Sequence, residues 1–104
     1  MQSERILRLL GLCRRAGKLI SGQDTVIAAV QSEKAALALL SSDASERTKK
    51  QLRDKCTFHG VPLVSLTVDG GALGKATGKA GTLSSLAVTD RGFASSILKM
   101  AEED

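Results

Sequence analysis

The sequence predicts a single α/β domain in which helices cover both faces of a small sheet. A chain of 104 residues has the size of one compact domain, and its 42% of hydrophobic residues can fill one core without disulfides or a structural metal. Apolar residues at helical spacing alternate along the chain with short apolar runs that are typical of strands. This alternation indicates a layered α/β architecture, and residues 1–104 are expected to form one domain.

The first element is an amphipathic helix that is expected to begin with Ser3 as its N-cap and to end at Gly17. Its apolar side chains share one face at 100° per residue, while Arg8 and Arg15, seven residues apart, point together on another. Five cations against the single acid Glu4 place a charge of +4 in the first 18 residues, as much as the net charge of the whole chain. The apolar face of this helix should pack against the core, and the basic face should be exposed to solvent.

A very short strand at residues 19–20 and a second helix are expected next. Ser21, followed three residues later by Asp24, fits a capping box at the start of that helix, whose apolar run covers residues 26–30. Residues 35–40 are all apolar and too few for a typical helix, so they predict a strand that is buried on both faces. This strand is therefore expected near the centre of the sheet.

The second half of the chain continues the alternation. Gly60 ends the third helix, and Pro62 suits the first residue of a strand, where a missing N–H is tolerated. Asp69 and Asp90 stand where the N-caps of two further helices belong. The expected elements are a helix at residues 45–59, a strand at 63–68, a short helix at 69–76, a strand at 83–88 and a last helix from residue 90 onward.

The composition disfavours several classes of function. Trp and Tyr are absent and only two Phe are present, so the aromatic platforms on which RRM and OB modules stack single-stranded bases are excluded. The glycine-rich residues 70–81 lack the spacing of a phosphate-binding loop, although Lys75 and Lys79 flank a tight turn there. No cofactor is expected, and a nucleic acid would have to be held through its phosphates and shape.

Cysteine and histidine do not form a convincing catalytic or metal site. Cys56 and His59 lie one helical turn apart, but Cys56 falls on an apolar stripe and the sequence identifies no third group that would orient the imidazole. With Cys13 they offer at most three ligands and no paired Cys-x-x-Cys spacing. We expect both thiols in the core, no bound metal and no enzymatic activity.

The charge balance favours a polyanionic partner. Fifteen Lys and Arg against eleven Asp and Glu give a net charge of +4. No apolar stretch approaches the length of a membrane span, and the N-terminus lacks the pattern of a secretion signal. A cytoplasmic protein without a membrane partner is expected.

Five stretches of the chain resemble the bacterial YlxQ family. They are residues 11–22, 43–50, 61–62, 73–79 and 88–93, of which Leu-Gly-Lys-Ala-Thr-Gly at residues 73–78 is the most specific. That family is part of the superfamily of kink-turn RNA-binding ribosomal proteins, which also contains the archaeal box C/D core protein. The resemblance covers nearly the whole chain and implies a three-layer α/β/α sandwich with a mixed four-stranded sheet.

The resemblance also implies an RNA interface. In kink-turn binders of the superfamily, the helix after the first strand begins Gly-x-Asn-Glu and reads sheared G·A pairs, while nearby N–H groups and lysines hold the backbone. Residues 22–25 correspond to this motif and keep only its glycine, and Ala28 stands where the superfamily has a lysine. The candidate RNA-binding residues are the start of the second helix and the basic residues around it: Arg14, Arg15, Lys18, Gly22, Gln23, Asp24, Lys75 and Lys79.

Two functions are open at this point. The first is a noncatalytic RNA-binding protein, ribosomal or associated with ribosome assembly, that holds structured RNA, with ribosomal RNA as the expected partner, at the start of the second helix and the loop after Gly78. The alternative is a protein-interaction module that kept the fold but lost specific kink-turn recognition, because the motif at residues 22–25 is substituted. Ribosomal or translation-related proteins are the expected protein partners.

Overall fold

The computed structural model describes residues 1–103 and shows a mixed four-stranded sheet between two helical layers. The elements in chain order are α1 (Ser3–Arg15), β1 (Leu19–Ser21), α2 (Gln23–Gln31), β2 (Leu37–Leu40), α3 (Glu46–His59), β3 (Leu63–Ser65), α4 (Gly70–Ala76), β4 (Ser85–Val88) and α5 (Arg91–Glu102). The three-layer α/β/α sandwich expected from the sequence is confirmed.

The strand order in the sheet is β1-β4-β2-β3, so β4 and β2 are central. β2 pairs in parallel with β3, and β4 is antiparallel to both of its neighbours. Ala87 of β4 lies opposite Ile20 on one side and Ala38 on the other. Every residue of β2 and of β4 is buried, as predicted for β2 from its unbroken apolar run.

The two faces of β2 pack against different helices, which is why the strand has no polar face. Leu37 and Leu39 belong to the core formed with α1, α4 and α5, whose buried contributions include Ile6, Leu10, Leu73 and Ile97. Ala38 and Leu40 belong to the core formed with α2 and α3, whose buried contributions include Val26, Val30, Leu52 and Cys56. Each fully buried leucine contributes about 1.5–3 kcal/mol to folding.

Three helices begin at side-chain caps, of which the sequence predicts those at Asp69 and Asp90. The hydroxyl of Ser45 and the carboxylates of Asp69 and Asp90 each accept a hydrogen bond from the backbone N–H three residues on, at 3.1, 2.8 and 2.8 Å. Such a cap stabilises a helix by about 1 kcal/mol, because it satisfies one of the N–H groups left free in the first turn. α3 ends at Gly60, as expected.

The capping box predicted at Ser21 and Asp24 is wrong. Ser21 is the last residue of β1, where it pairs with Leu86 of β4, and Gly22 is the N-cap of α2 without a capping side chain. Gly22 has φ +97°, a conformation that L side chains rarely adopt, and it turns the chain directly from the strand into the helix. Strand pairing therefore overrides the local capping pattern.

Ser3 is also not an N-cap. Gln2 takes that position, Ser3 is the first residue of α1, and its hydroxyl shares a hydrogen bond with the hydroxyl of Thr67. A contact 64 residues away in the chain thus competes with the local cap. The helix ends at Arg15 and is followed by Gly17, as predicted.

The predicted strands at residues 35–40, 63–68 and 83–88 are each shorter in the structure, at residues 37–40, 63–65 and 85–88. The N–H of Leu83 donates to the carbonyl of Gly70 at 3.0 Å, so this residue is tied to α4 and not to the sheet. Beyond β3, the carbonyl of Val68 accepts from the N–H of Ser42 in the loop after β2. The loops at this end of the sheet bind one another and stop the ladder early.

Candidate functional site

A cleft of about 230 Å³ opens between the end of α1, strand β1 and the turn after α4, and we name it the Arg14–Lys79 cleft. It is lined by Arg14, Leu19, Ser21, Thr77 and Lys79. Two exposed cations from distant parts of the chain therefore meet at one opening that also carries two hydroxyl side chains. The two cations and the hydroxyl of Ser21 can donate hydrogen bonds to a phosphate group, whereas the hydroxyl of Thr77 is engaged within the protein.

Gly78 determines where the Arg14 side chain lies. A side-chain carbon added at Gly78 would be 3.0 Å from both Cζ and Nη1 of Arg14, so the guanidinium lies directly against the backbone of the turn. The preceding residue, Thr77, is buried, and its hydroxyl donates to the carbonyl of Leu73 at 2.8 Å. The turn after α4 is thus held to its helix by a hydrogen bond, and the guanidinium of Arg14 packs against its backbone.

A close contact with α4 positions the segment that carries Lys79. The N–H of Lys79 donates to the carbonyl of Gly74 at 2.8 Å, and a side-chain carbon at Gly74 would be only 2.2 Å from the carbonyl oxygen of Gly81. Residues 79–81 therefore pass over α4 at a distance that only a glycine in the helix permits. The glycine run that the sequence places here serves to hold this loop.

The start of α2 lies beside the cleft through Ser21, the last residue of β1. Within residues 1–103 no side chain caps this helix, so the N–H groups of its first turn and the positive end of its dipole remain available. Asp24 is exposed in that turn and brings a negative charge close to it. This end of the helix is therefore open to a ligand, with one carboxylate that would repel a phosphate.

The amide of Gln23 is engaged within the protein. Its Oε1 accepts from the buried hydroxyl of Ser85 at 2.9 Å, and its Nε2 donates to Oε1 of Gln51 at 3.4 Å. Gln23 thereby ties the start of α2 to β4 and to α3. A role in binding remains a prediction for this residue, but its clearest role in the structure is to orient the helix.

The other predicted cations are not in the cleft. Arg15, the neighbour of Arg14, lines a separate groove of about 270 Å³ between α1 and α4, which we name the α1–α4 groove; its lining is Leu7, Arg8, Gly11, Leu12, Arg15 and Ala76. Lys75 is exposed on α4. Lys18 precedes β1, and its carbonyl accepts from the N–H of Thr89 at 3.0 Å, at the opposite end of the strand from Gly22. The structure thus unites Arg14 with Lys79 and leaves Lys18 apart.

Sequence reasoning missed the hydroxyls of Ser21 and Thr77. Both lie within the stretches that carry the resemblance, residues 11–22 and 73–79, so a signal was present. Neither could be assigned to the cleft, because the strand pairing that brings β1 next to the turn after α4 is not visible in the chain order.

The two cysteines are core residues, as predicted. Cys13 and Cys56 are buried free thiols. Burial raises the pKa of each thiol to about 11, with the carboxylate of Asp90 adding to the effect at Cys13. A thiol with such a pKa is protonated at neutral pH and is a poor nucleophile. The ring of His59 packs edge-on against Phe58 at a centroid distance of 4.9 Å.

Within residues 1–103, no helix is long and apolar enough to cross a lipid bilayer. In the same part of the chain, no three His, Cys, Asp or Glu side chains come together as candidate metal ligands.

Comparison with known proteins gives consistent matches over most of the chain. Residues 4–98 match the Ribosomal protein L7Ae/L30e/S12e/Gadd45 family. The RNA-binding protein YlxQ of Bacillus subtilis is 39% identical over 94 residues, which are 90% of this chain and 92% of that protein. The RNA-binding protein YlxQ of Enterococcus faecium is 43% identical over 63 residues, 61% of each chain.

Solved structures show the same fold. A protein of unknown function from Bacillus halodurans superimposes with a TM-score of 0.89 at 37% sequence identity, covering 95% of this chain and 98% of that one. The 15.5 kD RNA binding protein of Giardia lamblia superimposes with a TM-score of 0.81 at 20% identity, covering 97% and 88%. At 20% identity the second likeness concerns the fold alone.

Proposed function

Because the chain belongs to the Ribosomal protein L7Ae/L30e/S12e/Gadd45 family, we propose that it is a noncatalytic protein that binds structured RNA. The expectation that it is not an enzyme is confirmed by the family and by its curated relatives, which are named as RNA-binding proteins. We further propose that it acts in the cytoplasm on ribosomal RNA, in the ribosome or during its assembly.

One observation carries the proposed binding site. Arg14 and Lys79 come from separate segments and flank a single cleft beside the uncapped start of α2. Two cations, the hydroxyl of Ser21 and the free backbone N–H groups of α2 form a surface that recognises a phosphate backbone by charge and shape, without aromatic stacking. The proposed site comprises the start of α2, with Gly22, and the loop after Gly78. Arg15, Lys18 and Lys75 lie outside the cleft and add only longer-range attraction for the RNA.

The substituted motif at the start of α2 favours phosphate contacts over the reading of G·A pairs. Gln23 is bound to Ser85 and Gln51, and Asp24 presents a carboxylate that can accept but not donate hydrogen bonds when ionised. We therefore expect the protein to prefer bent or bulged RNA over a plain duplex by shape, and to discriminate weakly between G·A pairs and other base pairs.

RNA binding at different salt concentrations tests this proposal. The probe is a hairpin RNA with three unpaired nucleotides next to two sheared G·A pairs, compared with a fully paired hairpin of equal length. Arg14→Gln and Lys79→Gln should each weaken binding and reduce the slope of log K against log salt by about 1, as expected for one lost phosphate contact. Lys34→Gln, at an exposed lysine in the loop between α2 and β2, is the charge-matched control.

Two results would overturn the proposed site. One is a wild-type protein that binds neither hairpin at low salt. The other is an effect of Lys34→Gln as large as those of Arg14→Gln and Lys79→Gln, since the affinity would then reflect net charge and not the cleft. Partners recovered from cells that persist after RNA digestion would favour the protein-interaction module instead.

A further inference from the structure

A pocket of about 580 Å³ opens between the two helical layers, at the edge of the sheet where β2 and β3 begin, and we name it the interlayer pocket. The start of α2 follows the end of β1, which runs in the same direction as β2, so the pocket lies at the opposite end of the sheet from the proposed RNA site. Pockets that hold small ligands have volumes of about 300–1,000 Å³. The interlayer pocket is therefore large enough for a ligand of its own.

The interlayer pocket has an apolar floor and a charged rim. Its floor includes Ala35 and Ala94, which are buried, and Leu98, which is half-buried. Glu33 lies on the rim beside the layer of α2 and α3, and Arg91 lies on the rim beside α5, in the other layer. Both are exposed, and among residues 1–103 neither is within ion-pair distance of an opposite charge. The pocket thus has an unpaired carboxylate on one side and an unpaired guanidinium on the other.

Glu33 occupies a position that local structure disfavours. It directly follows Ser32, the C-cap of α2, where the negative end of the helix dipole opposes a carboxylate. Its φ is +61°, the only positive φ of a non-glycine residue within residues 1–103, and a glycine would adopt this conformation at lower cost. The N–H of Glu33 donates to the carbonyl of Val30 at 3.2 Å, which helps to fix the conformation. The carboxylate therefore stands at the pocket against local preference.

Arg91 is disfavoured in the opposite sense. It is the first residue of α5, where the positive end of the helix dipole opposes a cation. The carboxylate of the N-cap Asp90 accepts from the N–H of Phe93 at 2.8 Å and forms no ion pair with Arg91. An acid at the C-terminal end of one helix and a base at the N-terminal end of another thus border the same pocket. Positions where the residue type conflicts with local rules are where functional sites are expected.

We propose that the interlayer pocket binds a short zwitterionic peptide, whose ammonium terminus pairs with Glu33 and whose carboxylate terminus pairs with Arg91. An apolar side chain between the termini packs on Ala94 and Leu98. Because Glu33 and Arg91 belong to different layers, the ligand must separate its charges by more than one α-carbon, and two extended residues span up to about 7 Å. A phosphate-bearing ligand is disfavoured, since Glu33 would repel it. This binding does not depend on the proposed RNA site.

Titration with the dipeptide leucyl-leucine, followed by NMR of the backbone amides of the whole chain, tests this inference. Shifts at Ala36, Gly60 and Ala94, which line the pocket, should saturate with a Kd of about 1 mM. N-acetyl-leucyl-leucine lacks the ammonium group and leucyl-leucine amide lacks the carboxylate, so each should bind about tenfold more weakly. Glycylglycine has both charges but no apolar side chain, and it should also bind about tenfold more weakly.

Variants of the chain assign each charge to its partner. Glu33→Gln should bind leucyl-leucine and its N-acetyl form equally, because the ammonium group has lost its partner, and Arg91→Gln should bind leucyl-leucine and its amide equally. Lys34→Gln removes an exposed charge next to Glu33 and is the matched control, which should leave all these affinities unchanged. Glu33→Gly should lose the preference for the free ammonium and unfold at no lower temperature than the wild type, since the carboxylate serves the ligand and not the fold.

Two results would overturn the inference. One is the absence of shifts at the pocket with roughly 20 mM leucyl-leucine, well above the expected Kd. The other is equal affinity of the wild type for the dipeptide and for both of its capped forms, since the charges on the rim would then have no role. Arg14→Gln should bind leucyl-leucine as the wild type does, and Glu33→Gln should bind the RNA hairpins as the wild type does. Failure of either site therefore leaves the other one standing.

Discussion

Replacement of Gly74 by alanine tests whether the loop that carries Lys79 is held by its contact with α4. The added carbon would lie 2.2 Å from the carbonyl oxygen of Gly81, closer than carbon and oxygen atoms approach, so the helix or residues 79–81 must move by about 1 Å. Either movement displaces backbone and not a flexible side chain, and the hydrogen bond from the N–H of Lys79 to the carbonyl of Gly74 opposes it. The variant should therefore lose stability and also displace Lys79.

The expected magnitude is a balance of two terms. Overpacking against backbone costs about 3 kcal/mol, and the better helix propensity of alanine returns about 1 kcal/mol, which leaves a net loss of about 2 kcal/mol. For a domain of this size that corresponds to a decrease in Tm of roughly 10 °C. Urea and thermal unfolding followed by circular dichroism measure both quantities.

Gly71→Ala is the control for this prediction, because it lies in the same helix at an exposed position. A side-chain carbon there meets only the Asp69 carboxylate, at 3.3 Å, so the change in unfolding free energy should stay below about 1 kcal/mol. The reasoning is refuted if Gly74→Ala unfolds at the same urea concentration as the wild type. It is equally refuted if Gly71→Ala is the more destabilised variant.

Three further predictions concern stability. Asp90→Ala should lower the unfolding free energy by about 1 kcal/mol, since it removes the cap accepted from the N–H of Phe93, and an Asp90→Asn variant that is no more stable than Asp90→Ala would contradict a capping role. Burial raises the pKa of the Cys13 and Cys56 thiols from 9.0 to about 11, so ionisation begins to favour the unfolded chain above pH 9 and reaches its full effect above pH 11. Stability should hold below pH 9 and fall from pH 9 to 11 relative to a variant with both cysteines changed to alanine; parallel pH profiles of the two proteins would show that the thiols do not contribute. Phe58 is 83% exposed, so Phe58→Ser should change the unfolding free energy by less than about 0.5 kcal/mol, and a larger loss in urea unfolding would mean that the ring is packed.

Some features of this chain are local and can be predicted from the residues. The caps at Ser45, Asp69 and Asp90 involve groups three residues apart, so short-range hydrogen bonding is enough to define them. The unbroken apolar run of β2 also indicates burial on both faces without knowledge of its neighbours. Side chains alternate between the two faces of any strand, so a run of apolar residues makes both faces apolar.

Other features are wrong or invisible when the sequence is read locally. Ser3 and Ser21 have the residue type and spacing of caps, but one binds Thr67 and the other pairs with Leu86, and both partners are more than 60 residues away. Long-range contacts therefore override these local capping patterns. In the case of Ser21, the strand pairing satisfies several backbone groups at once, whereas a cap satisfies one.

The sequence by itself determined the order and type of the elements, the two buried thiols and the concentration of positive charge in the first helix. Only the tertiary structure decided which cations act together: Arg14 faces Lys79 across one cleft, Arg15 faces Arg8 along another, and Lys18 stands at the far end of β1. The physical reason is that helical and strand periodicity are properties of neighbouring residues. The meeting of α1 with α4 depends instead on the close contacts of Gly11 with the carbonyl of Ala76 and of Gly78 with the guanidinium of Arg14, which no local pattern specifies.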